Sequence, residues 1–159
     1  MSRITEAGVQ QALNALCNGS LEDTALIDLH LVDMLHREMQ MSDTLPARIY
    51  TCNQVLIRTI SERFRLMRTV LMLPMPDEAD TLQQVFQAIQ RDAQTGNAEL
   101  LAWGWLYYRF VRVDLQITPT QFSWAAGITT RTLRRYQQRG IARLTLHLID
   151  QEQQKSQAG

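Results

Sequence analysis

The stretch that decides the fold is ITPTQFSWAAGITTRTLRRYQQRGIARLTLHLI, residues 117–149. Thr118 ahead of Pro119 reads as a helix start, because proline suits a first helical position whose N–H has no partner to lose. The short helix that follows holds Phe122, Ala125 and Ala126 and stops at Gly127. A glycine there accommodates the left-handed backbone of a tight turn and closes one helix against the next. Ile128 plugs the corner. Thr129 then caps a second helix whose apolar positions are Leu133 and Tyr136, continuing to Ile141, Leu144 and Leu148. Small residues where two helices touch, a glycine in the turn and an apolar residue after it are what a tight helix-turn-helix requires.

Working outward, LLAWGWLYYRFVRV at residues 100–113 is apolar nearly all round, which predicts the central helix of a C-terminal core. Gly104 within it costs about 1 kcal/mol relative to alanine and suggests a close helix crossing. Before it, Leu82, Val85, Phe86 and Ile89 space out one more helix, ended at Thr95-Gly96-Asn97. Leu73-Pro74-Met75-Pro76-Asp77-Glu78 is the natural boundary. The helix through Ile49, Cys52, Leu56, Ile60 and Phe64 follows a break at Ser42 to Pro46 and must end before Pro74 and Pro76. A second helix over Leu26, Leu29, Val32, Met34 and Leu35 is expected to open on a capping box of Ser20 with Asp23. The first helix carries Ile4, Val9, Leu13 and Leu16 and ends near Asn18-Gly19, and QEQQKSQAG at the far end reads as a fraying tail. No segment alternates with period two. The expectation is an all-α helical bundle, with an N-terminal regulatory or dimerising region over 1–75 and a C-terminal unit over 76–159 carrying the helix-turn-helix at about 118–139.

With Gly127 as the turn glycine, Phe122, Ala126, Ile128, Leu133 and Tyr136 match the apolar positions of the bacterial helix-turn-helix pattern. LLAWGWLYYRFV before the pair and RGIARLTLHL after it extend the match. Together these roughly fifty residues resemble region 4 of sigma factors and related bacterial transcriptional regulators. More loosely, the chain is similar to the N-terminal regulatory modules that precede signalling ATPase or repeat domains in some bacteria. The resemblance implies a helix laid in the major groove of double-stranded DNA, and RNA polymerase or signalling domains as further partners.

Composition allows this reading. The chain has 159 residues, 45% of them hydrophobic and 20% charged, enough to bury a core. Net charge is zero, but residues 1–100 carry eight arginines against thirteen acids, whereas 101–159 carry seven arginines and one lysine against three acids. A basic C-terminal part on an acidic N-terminal part is expected when only one end touches phosphate. Cys17 and Cys52 stand apart without zinc spacing, there is no signal-peptide pattern, and no apolar run approaches the ~20 residues of a membrane span. A soluble cytoplasmic protein without a cofactor or metal is expected.

The second helix carries the candidate site. Thr129, Thr130, Arg131, Arg134, Arg135 and Gln138 lie off its apolar stripe, and the recognition helix spans about 129–139. Arg131 and Arg134 are the expected base readers, since arginine grips guanine with two hydrogen bonds worth about 1–3 kcal/mol of discrimination. Thr129, Thr130, Arg135 and Arg139 suit phosphates, as does Arg143, and Gln138 is a weaker contact. One such helix reads only a few base pairs, so a homodimer built through the N-terminal helices is expected.

Each of these residues has a plainer reading. An arginine-rich helix face is most often simply solvated. Trp124 occupies a first-helix position that is normally polar, so it either packs on another part of the chain or marks a protein interface. Met34, Met39, Met41, Met67, Met72 and Met75 read as core filler or an adaptable interface. His30, His36 and His147 lack metal-binding spacing, and no phosphate loop, GxSxG, HExxH or paired-carboxylate context is present, so no enzyme is expected. The competing function is a helical protein-interaction or oligomerisation module in which the helix-turn-helix is architectural and Trp124 with the methionines forms the contact surface.

Overall fold

A computed structural model describes residues 4–20 and 25–158 of the chain. Among the described residues it is all-helical, with no strand. The α-helices are α1 (Glu6–Cys17), α2 (His30–Glu38), α3 (Leu45–Val70), α4 (Leu82–Gln94), α5 (Ala98–Leu106), α6 (Pro119–Ala126) and α7 (Thr130–Ala158). They divide into two compact units, one formed by residues up to Thr59 together with those from Ile141 onward, the other by Ile60–Gly140. The proline-rich segment at 73–78 is a loop inside the second unit.

In the first unit, Val9, Leu13, Leu26, Leu29, Val32, Ile49, Leu56, Leu144 and Leu148 are buried. The expected Ser20–Asp23 capping box falls partly outside the described residues. Helix α2 itself begins later than the apolar spacing suggests, at His30, so Leu26 and Leu29 are core residues that precede it. Its first amides are satisfied by a distant side chain: the Glu152 carboxylate accepts from the N–H groups of His30 at 2.8 Å and Leu31 at 3.0 Å. A negative charge also suits the positive end of a helix. This contact corrects the reading of the C-terminal segment as a frayed tail, because α7 stays helical through Gln151–Gln154 and uses Glu152 as a cap. His36 is a structural residue. Its Nε2–H donates to the Ser42 carbonyl at 3.0 Å, and Nδ1 bonds the Thr51 hydroxyl at 2.8 Å.

The second unit is built around α5. Every residue from Leu100 to Leu106 is buried, as the all-round apolar pattern predicts. The helix widens into a π-helical turn over Tyr107–Val111, closed by the Arg112 N–H on the Tyr107 carbonyl at 2.9 Å. Phe64 of α3 packs on Tyr107 and Tyr108, with ring centroids 4.9 and 5.9 Å apart. Trp105 meets Phe122 of α6 edge-on at 5.1 Å. A Cβ on Gly104 would lie 3.3 Å from the Phe64 ring, so the close approach expected there is to a side chain. At Gly140, by contrast, the neighbour is backbone: a Cβ there would sit 3.2 Å from the Ala102 carbonyl oxygen and 3.1 Å from Leu106.

The same unit buries an ion pair. Arg68 Nη1 contacts Asp92 Oδ2 at 2.5 Å, and both side chains are almost wholly enclosed. Burial pushes the Asp92 carboxyl above the ordinary carboxylate range, against the opposing pull of Arg68. Burial likewise raises the Tyr108 phenol, which stays protonated.

Candidate functional site

Helix α6 starts as the sequence requires. Thr118 Oγ1 accepts from the Gln121 N–H at 3.1 Å and Gln121 Oε1 accepts from the Thr118 N–H at 3.0 Å, a reciprocal capping box with Pro119 at the first helical position. Ahead of it, Arg112 donates twice to Asp114, both at 3.1 Å, and its Nη2 also reaches the Glu78 carbonyl. Those hydrogen bonds hold the Asp114 carboxyl below its ordinary range.

The end of α6 is a Schellman turn. Gly127 has φ 69°, its N–H donates to the Trp124 carbonyl at 3.2 Å, and the Ile128 N–H donates to the Ser123 carbonyl at 3.0 Å. Thr129 caps α7: its hydroxyl oxygen accepts from the Thr132 N–H at 3.1 Å and its proton goes to Thr132 Oγ1 at 3.0 Å. The hydroxyl is therefore already engaged, and Thr130 is the free threonine of the expected pair.

Arg131, Arg134, Arg135, Gln138 and Arg139 are all exposed. Their spacing of three and four residues places them on one face of α7. Leu133 is buried on the opposite side. Among the described residues, none of the four arginines forms an ion pair, and α7 carries no acid before Asp150. Four cations on about two and a half turns with no counter-charge form a concentrated positive stripe.

Two residues that sequence reasoning did not single out set the rotation of this face. Trp105 Nε1 donates to Gln137 Oε1 at 2.7 Å, and Gly140 lets α7 lie directly on α5. A polar residue between the arginines and a glycine at the end of the stripe were the available signals.

A second feature lies beside the turn. Trp124 is 77% exposed, meets Phe86 edge-on with centroids 6.4 Å apart, and borders an open groove of about 380 Å³ between α4 and α6. Leu82, Gln83, Phe86, Gln87 and Gln90 supply the α4 side, so the groove is apolar with amide edges and no charge.

Among the described residues, no group of His, Cys, Asp or Glu could hold a metal ion, and no helix is long and apolar enough to cross a membrane. Comparison with protein-family models, characterised proteins and solved structures finds no match to this chain.

Proposed function

We propose that the chain is a sequence-specific DNA-binding protein, a transcriptional regulator that reads the major groove with a helix-turn-helix formed by α6 and the first turns of α7. The observation that carries this reading is the exposed, unpaired arginine stripe on α7, presented directly after a glycine turn. Arg131 and Arg134, nearest the helix start, serve as base readers. Thr130, Arg135 and Arg139 bind phosphates and Gln138 adds a lesser contact, while Thr129 acts by fixing the helix start. A single reading helix covers few base pairs, so double-stranded DNA is bound by two copies.

The test is fluorescence anisotropy on a randomised duplex pool at two salt concentrations, with wild type beside Arg131→Ala/Arg134→Ala. Phosphate contacts release counterions, so affinity must fall steeply as salt rises. Loss of two good base contacts weakens binding at least ten-fold, by the magnitude of such contacts. An absence of binding at low salt would sink the proposal.

A second reading rests on Trp124 and its uncharged groove. Under it, the α6–α7 pair is architecture for a protein-interaction module. Association through that groove responds little to salt and is abolished by Trp124→Ala, with the arginine variants unaffected.

A further inference from the structure

The arginine stripe is only as well aimed as the helix beneath it. Leu133 and Gly140 lie on the buried side of α7, but neither fixes its rotation. Burial of an apolar side chain is non-directional, and a glycine offers no side chain to stop a helix from rolling. Gln137 stands between them on the same side, four residues after Leu133 and three before Gly140. Its Oε1 accepts from the Trp105 Nε1–H at 2.7 Å. Trp105 is 1% exposed, and a buried indole N–H needs an acceptor, so the bond is not readily given up. Hydrogen bonds are directional, and a polar contact set into an apolar seam specifies register. The same indole also bears on the first helix of the pair. Its ring meets Phe122 of α6 edge-on at 5.1 Å. The Arg109 guanidinium lies 5.9 Å from the ring centroid and donates to the carbonyl of Ile117, just ahead of α6, at 3.1 Å.

We infer that Gln137 is a specificity-positioning residue of the reading helix, holding α7 through Trp105 at the rotation in which Arg131 and Arg134 meet base edges. The role rests on the proposed DNA reading and divides its contacts into two classes. A helix with its side chains is about 10–12 Å across, so a roll of about 20° carries a side-chain tip about 2 Å. Recognition groups must be held to within about 0.5 Å, so the paired hydrogen bonds to a guanine do not survive such a roll. Arg135 and Arg139 still reach phosphates, which require a nearby charge more than a fixed fork. Release of Gln137 therefore removes sequence choice and leaves the salt-dependent affinity in place.

The experiment measures Gln137→Met and Gln137→Glu beside wild type on two duplexes, one selected by wild type from the randomised pool and one a scramble of it. Gln137→Met keeps the length of the side chain and replaces its amide acceptor with a thioether. Its ratio of selected to scrambled affinity falls about ten-fold or more, the magnitude of one lost bidentate contact. Its affinity for the scrambled duplex, and the slope of that affinity against salt, stay at wild-type values. Gln137→Glu keeps an acceptor at the same reach, so it retains the wild-type ratio while its added charge weakens both duplexes alike. Circular dichroism confirms that both variants are folded at the assay temperature. A methionine variant with the wild-type ratio overturns the inference, as does one that loses both duplexes equally, the mark of a merely structural bond. A glutamate variant that loses the ratio overturns it too. A wild type that retains no duplex from the pool removes the DNA reading itself, and the inference with it.

Discussion

Two helices of the unit Ile60–Gly140 end in the same hydrogen-bonded turn, one on a glycine and the other on a methionine. At the end of α6, Gly127 takes φ 69° and the Ile128 N–H bonds the Ser123 carbonyl. At the end of α3, Met72 takes φ 59°, its N–H bonds the Thr69 carbonyl, and the Leu73 N–H bonds the Arg68 carbonyl at 2.8 Å. A left-handed backbone costs a residue with a Cβ about 1–2 kcal/mol. Glycine at position 127 avoids the cost. Met72 bears it because the α3 end is tied down by Arg68, whose Nε donates to the Pro74 carbonyl at 2.7 Å while its Nη1 grips Asp92. One turn follows from local backbone freedom, the other from tertiary contacts that over-determine a strained conformation.

The sharpest way to break the second device is Arg68→Met. It removes both ties and leaves the Asp92 carboxylate buried without its cation, a change that costs about 3–5 kcal/mol in comparable cases. The pH dependence has a definite sign. In the variant, burial holds the Asp92 carboxyl above its unfolded value, and the restraining pull of Arg68 is gone. Stability is therefore undiminished by ionisation below the unfolded carboxylate range, and it is lost as pH rises through the folded one. Denaturant unfolding at neutral and acid pH should show the deficit shrinking in acid. Adding Asp92→Leu should recover most of the loss at neutral pH, because a well-packed apolar pair often replaces a buried ion pair without penalty. A deficit that is the same at both pH values, or a double variant no better than the single, would show that the pair does not hold the α3 end.

The glycine turn should break more gently. A Cβ placed on Gly127 meets nothing within 4 Å, so Gly127→Ala adds strain without a clash. The strain is partly offset by the smaller entropy of the unfolded alanine chain, which leaves a net loss of about 1 kcal/mol. For a chain of this length that corresponds to a Tm lower by about 2–4 °C. Gly127→Asn, which tolerates the left-handed region better, should lose less. Equal losses for Ala and Asn would mean that the backbone angle is not what the position selects.

These two turns were not equally legible. Gly127 announces itself, because a glycine between two apolar helical patterns has a specific backbone use. The exposed arginine face was legible for the same kind of reason, since three- and four-residue spacing depends on local geometry alone. Met72 carries no such signal, for the contacts that stabilise its turn come from Arg68 and from Asp92, 24 residues further along. Distance in sequence hides the other misses as well. The start of α2 depends on Glu152, 122 residues from His30, and the rotation of α7 depends on a Trp105–Gln137 bond spanning 32 residues. Periodicity reveals which residues face inward, but it does not reveal which distant polar group will complete a helix end. All-helical content and the α6–α7 turn were thus readable, whereas the cap of α2, the buried pair and Gly140 as a crossing point required the folded chain.

The smallest effect gives the finest test of the comparison. Met72→Gly relieves about 1–2 kcal/mol of backbone strain. Glycine returns roughly 0.5–1 kcal/mol of that through the greater freedom of its unfolded chain. Because the Met72 side chain is 91% exposed, its removal forfeits almost no packing. The folded monomer should gain a few tenths to about 1 kcal/mol, read as a higher Tm in dilute solution. A loss of stability would mean that the methionine makes contacts within its own chain that outweigh its backbone cost, and the contrast between the two turns would fall.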